Sequence, residues 1–349
     1  MRRFVLSLRC LPHLALLFVL AAPPSAIGSE RSHSKVLAAF RDVVSEPAKS
    51  TVRVFCDGHK AALGAVVGSD GYVLTKASEL KGKLECQLHD GRRMEASLVG
   101  KDAALDLAVL KVNAKDLPVV HWSEIDSPAV GSWLATPGLE IDPVAIGVLS
   151  VAPRKIPAPS GALGVQLDND DRVARILQVM PDSAAEKAGL EIGDEVTKVN
   201  GKAIKGRQQL VDTIRGYMPG EKVELVIERD DDAITIEATL GSLSQLVHGD
   251  RSEFQNTLGG PLSERRAGFA SVIQHDSVLR PTDCGGPLVD LDGKVIGINI
   301  ARAGRVESFA LTVSAVKKAL GDLMSGKMAP VPVSAELVDM SKTSEKKVQ

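Results

Sequence analysis

Aromatic residues are scarce in this 349-residue chain, at 3%, so any core must be built from aliphatic side chains. There is no basic excess either: 42 Lys and Arg stand against 44 Asp and Glu, a net charge of −2. That lacks the positive surplus a nucleic-acid binder uses to neutralise phosphates. Cysteine is limited to four residues, and no CxxC or His/Cys cluster has metal-ligand spacing. No metal and no cofactor are expected. Long apolar runs are missing beyond residue 28, which argues against a membrane span in the remainder. What is present is ordinary globular material, 44% hydrophobic and 25% charged, with length for about two domains. Val-rich runs punctuated by 31 Gly and 18 Pro favour β structure over a helical bundle.

The first residues read as an address. Arg2, Arg3 and Arg9 precede an apolar run from Leu11 to Ala22, and Ala26 and Gly28 supply small residues for cleavage. This pattern predicts a cleavable secretory signal over 1–28, with an uncleaved anchor as the alternative. The mature chain is then secreted or periplasmic, in an oxidising compartment. Cys10 leaves with the signal, and Cys56, Cys86 and Cys284 remain. An odd count leaves one thiol unpaired.

Residues 29–50 form an N-terminal helical segment. Within it Val36, Leu37, Phe40, Val43 and Val44 share one helical face. Short strand-like runs follow at 51–56, 62–67, 72–75, 84–88, 93–99 and 107–112, with turn signals at Ser69-Asp70-Gly71 and Asp90-Gly91. Six such strands suit a closed antiparallel barrel. Further runs lie at 132–136 and 143–152. After the Pro-rich stretch 153–160, a self-contained unit reads strand 163–168, strand 173–179, helix 182–188, strand 193–199, helix 206–217, and strands 222–228 and 233–239. Strand patterns resume at 268–274, 287–290, 294–300 and 307–312, then a helix at 313–323. The tail 325–349 is Pro/Ser/Lys-rich and expected to be disordered. One domain, 51–153 with 245–324, is thus interrupted by another over 155–243.

The insert carries GALGV at 161–165 and PDSAAEKAGLEIGDEVTKVNG at 181–201. Together these resemble a PDZ domain of the bacterial protease-associated type. PDZ domains bind peptide ends by adding a strand to a sheet edge. The resemblance maps the carboxylate-binding loop onto Ala162, Leu163, Gly164 and Val165, whose backbone N–H groups would meet a terminal carboxylate. Leu163, Val165, Leu210 and Ile214 would line the side-chain pocket, or serve only as core, since helix 206–217 must bury one face anyway.

The flanking segments carry a second resemblance. TDCGGPLVDLDGKVIGI (282–298), GSDGYVLTKASEL (68–80) and DAALDLAVLKV (102–112) resemble the nucleophile, base and carboxylate segments of trypsin-fold proteases, especially the HtrA/Do-like family. This implies a mainly β fold, a trypsin-like double six-stranded antiparallel β-barrel with an inserted PDZ domain, whereas the family usually carries PDZ domains after the barrels. It also implies a degenerate triad. Asp106 stands at the family's Asp, Cys284 where the family has Ser, and Ser78 where it has His. A serine hydroxyl is no base near pH 7, and losing the base of such a triad costs ~10⁶ in kcat. In the oxyanion loop Thr282, Asp283 and Cys284, Thr282 replaces a glycine, which puts the N–H donors in doubt. His59 and His275 are the histidines that could stand in as base, and both read as surface residues. The first and fourth strands of a closed barrel can be neighbours, so a Cys56–Cys86 disulfide is expected, with two separate buried thiols as the alternative.

The leading expectation is an exported pseudoprotease that binds peptides, unfolded protein or protein C-termini. The rival is an active endopeptidase in envelope protein quality control, with Cys284 as nucleophile. A scaffold for specific C-termini is a third. The family resemblance also implies a homo-oligomer, a trimer through the N-terminal segment, to which Phe40 would contribute unless it is core.

Overall fold

The computed structural model describes residues 34–170, 172–242 and 255–328. The expected signal (1–28) and residues 329–349 of the tail lie outside the described residues. Helices α1 (Ser34–Ala38) and α2 (Arg41–Lys49) replace the single expected helix, with a turn at Ala39 and Phe40. Val44 is buried, and Val36, Leu37, Phe40 and Val43 pack against the core. Phe40 meets Trp133 with ring centroids 5.8 Å apart. This is core packing, within a chain poor in aromatics.

The first barrel comprises β1 (Thr51–Cys56), β2 (His59–Gly68), β3 (Tyr72–Lys76), β4 (Leu84–Gln87), β5 (Arg93–Asp102) and β6 (Leu107–Val112). It closes in the order β1-β2-β3-β6-β5-β4. Closure removes both sheet edges. Its interior is aliphatic, with Val52, Val54, Val66, Val73, Leu110 and Val112 all buried. Branched side chains at alternate positions suit such an interior.

The second barrel begins with β7 (Trp133–Thr136) and β8 (Ala145–Ile156). Then comes the inserted unit: β9 (Gly161–Ala162), β10 (Val165–Leu167), β11 (Ile176–Val179), α3 (Ala184–Ala188), β12 (Glu195–Val199), β13 (Lys202–Ala203), α4 (Arg207–Arg215), β14 (Lys222–Arg229), β15 (Asp232–Thr239) and β16 (Gly241–Ser242). The barrel resumes with β17 (Phe269–His275), β18 (Pro287–Val289), β19 (Val295–Gly304), β20 (Glu307–Thr312) and α5 (Val313–Met324). It closes as β17-β20-β19-β18-β7-β8.

Strands β8 and β17 are therefore antiparallel neighbours, and Ile156 faces Phe269 at their far end. The insert sits where the loop of this hairpin would be, and Gly268 N–H donates to Pro157 O (3.2 Å) across its base. A hairpin tip accepts a domain because its two ends are already adjacent. The insert has its own core of Leu167, Ile176, Val196, Leu210, Leu225 and Ile227, among others. Helix α5 returns to the first barrel, burying Val316, Ala319 and Leu323. Its N-cap is Thr312, whose Oγ1 accepts from Ala315 N–H (3.4 Å). The first residues of the expected tail are ordered by a backbone partner: Lys101 N–H donates to Met328 O (2.9 Å).

Candidate functional site

Two regions hold the residues singled out in the sequence. The first lies where the barrels meet. Gly285, at φ +95°, lets the loop approach so closely that a Cβ there would sit 2.3 Å from Leu63 O and 2.7 Å from Thr75 Oγ1. Leu63 N–H donates to Cys284 O (2.9 Å), and Gly285 N–H to Asn299 O (2.6 Å). Cys284 is therefore fixed between β2, β3 and β19 and is fully buried. Burial pushes its thiol up to about 11, against the pull of Lys76 and Ser263. It is held neutral at pH 7, and its Sγ–H points to Arg280 O (3.7 Å).

Ser78 and Asp106 meet directly. The carboxylate accepts from Ser78 N–H at Oδ1 (2.7 Å) and from Ser78 Oγ at Oδ2 (3.0 Å). Asp106 is 3% exposed, and burial raises its pKa, with Lys76 and the Ser78 bonds opposing. The hydroxyl takes up the carboxylate oxygen that would orient a base.

The loop before Cys284 is a 3₁₀ turn, Pro281–Asp283. Cys284 N–H donates to Pro281 O (3.2 Å), and Asp283 N–H to Arg280 O (2.9 Å). These donors are spent inside the turn. Arg53 of β1 clamps it, donating to Thr282 O (2.5 Å) and pairing with Asp283 (3.3 Å). An oxyanion needs free N–H groups already aimed at it, and the Cys284 N–H is not free.

The histidines stay apart from this cluster. His59 is exposed at the start of β2. His275 was expected at the surface and is instead fully buried in the second barrel, opposite Leu149 and Ser308. Its side chain points inward at the end of β17, so burial lowers its pKa to about 4. Asn299 faces it, yet neither ring nitrogen completes a hydrogen bond of good geometry.

The expected Cys56–Cys86 disulfide is a further correction: both are free thiols. β1 and β4 do pair, but Cys86 lies opposite Val54 and Cys56 opposite Leu84. Diagonal neighbours in a ladder are about 7–8 Å apart, longer than the usual ~4.4–6.8 Å Cα spacing of a disulfide. Cys86 is sealed in the barrel, its pKa pushed up to about 12 by burial. Cys56 Sγ lies by the 79–81 loop, accepting from Lys81 N–H (3.5 Å).

Lys76 escaped sequence reading. It is wholly buried beside this cluster and donates to Glu79 Oε1 (3.2 Å). A lysine at a strand end is ordinarily solvated, and here Gly285 of the second barrel lies against its backbone.

The second region is the groove of the insert. Ala162, Leu163, Gly164, Val165, Leu210 and Ile214 all border one cavity of about 200 Å³. Leu163, Leu210 and Ile214 are also buried in the insert's core, so pocket and core are one surface here. Leu167, Met180, Val211 and Arg215 complete it. Of these, Val211 had a readable signal, lying one turn before Arg215 and beside Leu210 on α4. Among the described residues β10 pairs only with β11, so its other edge is open toward the cavity. Gly164 has φ +79°, and its carbonyl accepts from Met180 N–H (2.9 Å). An open strand edge above an apolar cavity can receive an extended peptide.

Two β-barrels meeting at a nucleophile-type loop, with a peptide-groove module between strands, define a trypsin-like peptidase fold with a PDZ domain. Comparison with known families agrees: residues 62–156 match the Trypsin-like peptidase domain and 161–240 the PDZ domain. The chain is 25% identical to the probable periplasmic serine endoprotease DegP-like of Marinomonas sp. (strain MWYL1), covering 79% of this chain and 77% of that one. It is 25% identical to the protein of the same description from Ectopseudomonas mendocina (strain ymp), covering 60% and 62%. Among solved structures, it is similar to a serine endoprotease from Yersinia pestis at 20% identity and TM-score 0.29, over 58% of this chain and 98% of that one. The chain is an HtrA/Do-like homologue.

Proposed function

We propose that this protein is an exported, HtrA-like peptide-binding protein whose protease site is inactive. The observation that carries this reading is the Ser78–Asp106 pair: the carboxylate ends on a serine hydroxyl, which is no base near pH 7. No histidine is among the groups that shape the Cys284 thiol, which are Lys76, Ser263, Asp283 and Glu79. A neutral buried thiol attacks poorly, and a turn that consumes the Cys284 N–H offers little to an oxyanion.

The groove of β10 and α4 is the working site. A peptide end extends the sheet along β10, places its last side chain among Leu163, Leu210, Val211 and Ile214, and sets its carboxylate against the 162–165 backbone. An apolar last residue fits that lining. Export is supported by the N-terminal sequence and by the periplasmic description of the relatives. The ligands are then peptides or unfolded protein ends of the envelope, and trimerisation is an expectation from the family.

The test is incubation with casein across pH, beside a C-terminal peptide library on the same preparation. We expect no cleavage and selection of apolar-ended peptides. Cleavage that thiol alkylation abolishes would replace this reading with a cysteine-nucleophile protease. An unselected library would remove the groove from the proposal.

A further inference from the structure

The second barrel holds polar groups that neither region uses. On β20, Ser308 lies opposite His275 of β17 on one side and opposite Arg302 of β19 on the other. Directly opposed residues of a ladder share a face, and all three are at most 2% exposed. The Arg302 guanidinium is held by Nη1 alone, which donates to Gly259 O (3.1 Å) and Leu279 O (3.0 Å). Its Nε and Nη2 are buried without a hydrogen-bond partner. Among the described residues it has no ion-pair partner, whereas the similarly enclosed Lys76 has Glu79. Ser277 Oγ is unpartnered too, and Ser308 Oγ ties that residue to the row by donating to Ser277 O (2.8 Å).

A buried cation without a counter-charge is costly, which is why buried charges are normally paired. Cys284 does not supply the charge, since burial holds its thiol neutral. It is nonetheless close by: Arg302 bonds the Leu279 carbonyl while Cys284 Sγ points to the next one, Arg280. The vacant donors are Nε–H and Nη2–H, the edge of a guanidinium that grips both oxygens of a carboxylate in parallel. One fixed positive charge is balanced by a monoanion, whereas a phosphate dianion would leave excess negative charge in the interior.

We propose that the Nε–Nη2 edge of Arg302 is a carboxylate-binding site beside Cys284. Entry is beneath the Gly259–Gly260 strap. These residues lie against the guanidinium, where a Cβ would come within 3.3 Å of Nη2 and 3.2 Å of Nη1, and both have positive φ. The strap is pinned at one end, where Arg302 N–H donates to Ser263 Oγ (2.9 Å) and Ser263 N–H to Arg302 O (3.0 Å). Residues 255–262 are otherwise exposed or half-buried. The carboxylate comes from a free small acid or from an acidic side chain of a bound peptide.

The experiment is thermal unfolding of the full chain in acetate, in neutral acetamide, and in N-acetylglutamate α-amide, which has one side-chain carboxylate and no C-terminal one. Ionic strength is held constant. Saturating carboxylate should raise Tm by ~2–4 °C over acetamide, and Arg302→Met should remove the difference. A larger rise with the glutamate compound assigns the site to acidic side chains, and a rise with acetate alone to free acids. Equal shifts in acetate and acetamide, or the same acetate shift in Arg302→Met, would overturn the proposal. Should that variant not fold, the unmodified protein is labelled with iodoacetate or iodoacetamide. The Cys284-to-Cys56 labelling ratio should be ~10-fold higher with the carboxylate reagent and should fall when acetate competes. Equal ratios for the two reagents would equally refute the site.

Discussion

In the PDZ groove, β10 keeps one edge free, and the cavity beside it is apolar and open. Around Cys284 the loop's hydrogen-bonding groups are turned inward: Cys284 N–H to Pro281, Thr282 O to Arg53, and the Asp106 carboxylate to Ser78. Both regions rest on glycines with positive φ, Gly164 and Gly285, so both retain the tight backbone their families need. The difference is what that backbone presents. One offers unpaired groups to a partner, and the other satisfies them within the chain. A binding site needs only an edge and a pocket, whereas catalysis needs a base, an oriented carboxylate and free oxyanion donors together.

The strongest way to break this contrast is to install a full triad. Ser78→His with Cys284→Ser restores the side chains beside Asp106 but leaves the 3₁₀ turn in place. We expect almost no peptide cleavage from that pair of changes. Adding Thr282→Gly should raise the rate a further ~10²–10³, the usual worth of an oxyanion donor. Full activity without the third change would show that the turn opens by itself.

A second test uses His275, the buried base that no partner stabilises. Its folded pKa, about 4, lies below the ordinary 6.5, so the unfolded chain binds its proton first. Stability from this residue is complete above pH 6.5 and is lost as pH falls toward 4. The depressed value corresponds to ~3 kcal/mol across that window. Denaturant midpoints measured from pH 7 to 4.5 should fall steeply in the parent and less so in His275→Leu. Parallel curves would mean that His275 is not the group responsible.

Val211→Asp sharpens the other side of the comparison. Val211 is half-buried at the groove, so a carboxylate there should weaken binding of apolar-ended peptides ~10-fold or more without unfolding the insert. Fluorescence polarisation would read the loss, and unchanged affinity would move the ligand elsewhere. The smallest expected effect concerns coupling. The insert joins the barrel through the ends of β8 and β17, and such tethered domains move independently by default. Hydrogen exchange with saturating peptide should show strong protection at 162–166 and less than ~2-fold change at 278–288. A large change at 278–288 would reveal a link from groove to loop.

Much of this was legible from local pattern. Alternating valines with Asp-Gly and Ser-Asp-Gly turns marked the six strands of the first barrel, and β1 and β6 run over the residues read as strands. The inserted unit was legible because Gly-Asp-Glu-Val and Val-Asn-Gly punctuate it in order. Side-chain environment was less so. His275 read as a surface residue because it follows a strand-like run, yet it is fully buried in the second barrel. The cysteine pairing failed over register: strand adjacency followed from barrel closure, but an offset of two residues separates neighbours from bonded partners.

The sequence by itself determined the element types, the insertion of one unit in another, and the residue types at 78, 106 and 284. Those depend on periodicity, turn chemistry and residue identity, which are local properties. Only the tertiary structure decided that Ser78 would cap Asp106, that Cys284 would be sealed and neutral, and that Arg302 would be buried with its fork unfilled. Each depends on which segments, far apart in the chain, exclude water from the same point, and the desolvation of a charged or polar group is a property of that packing rather than of the residue.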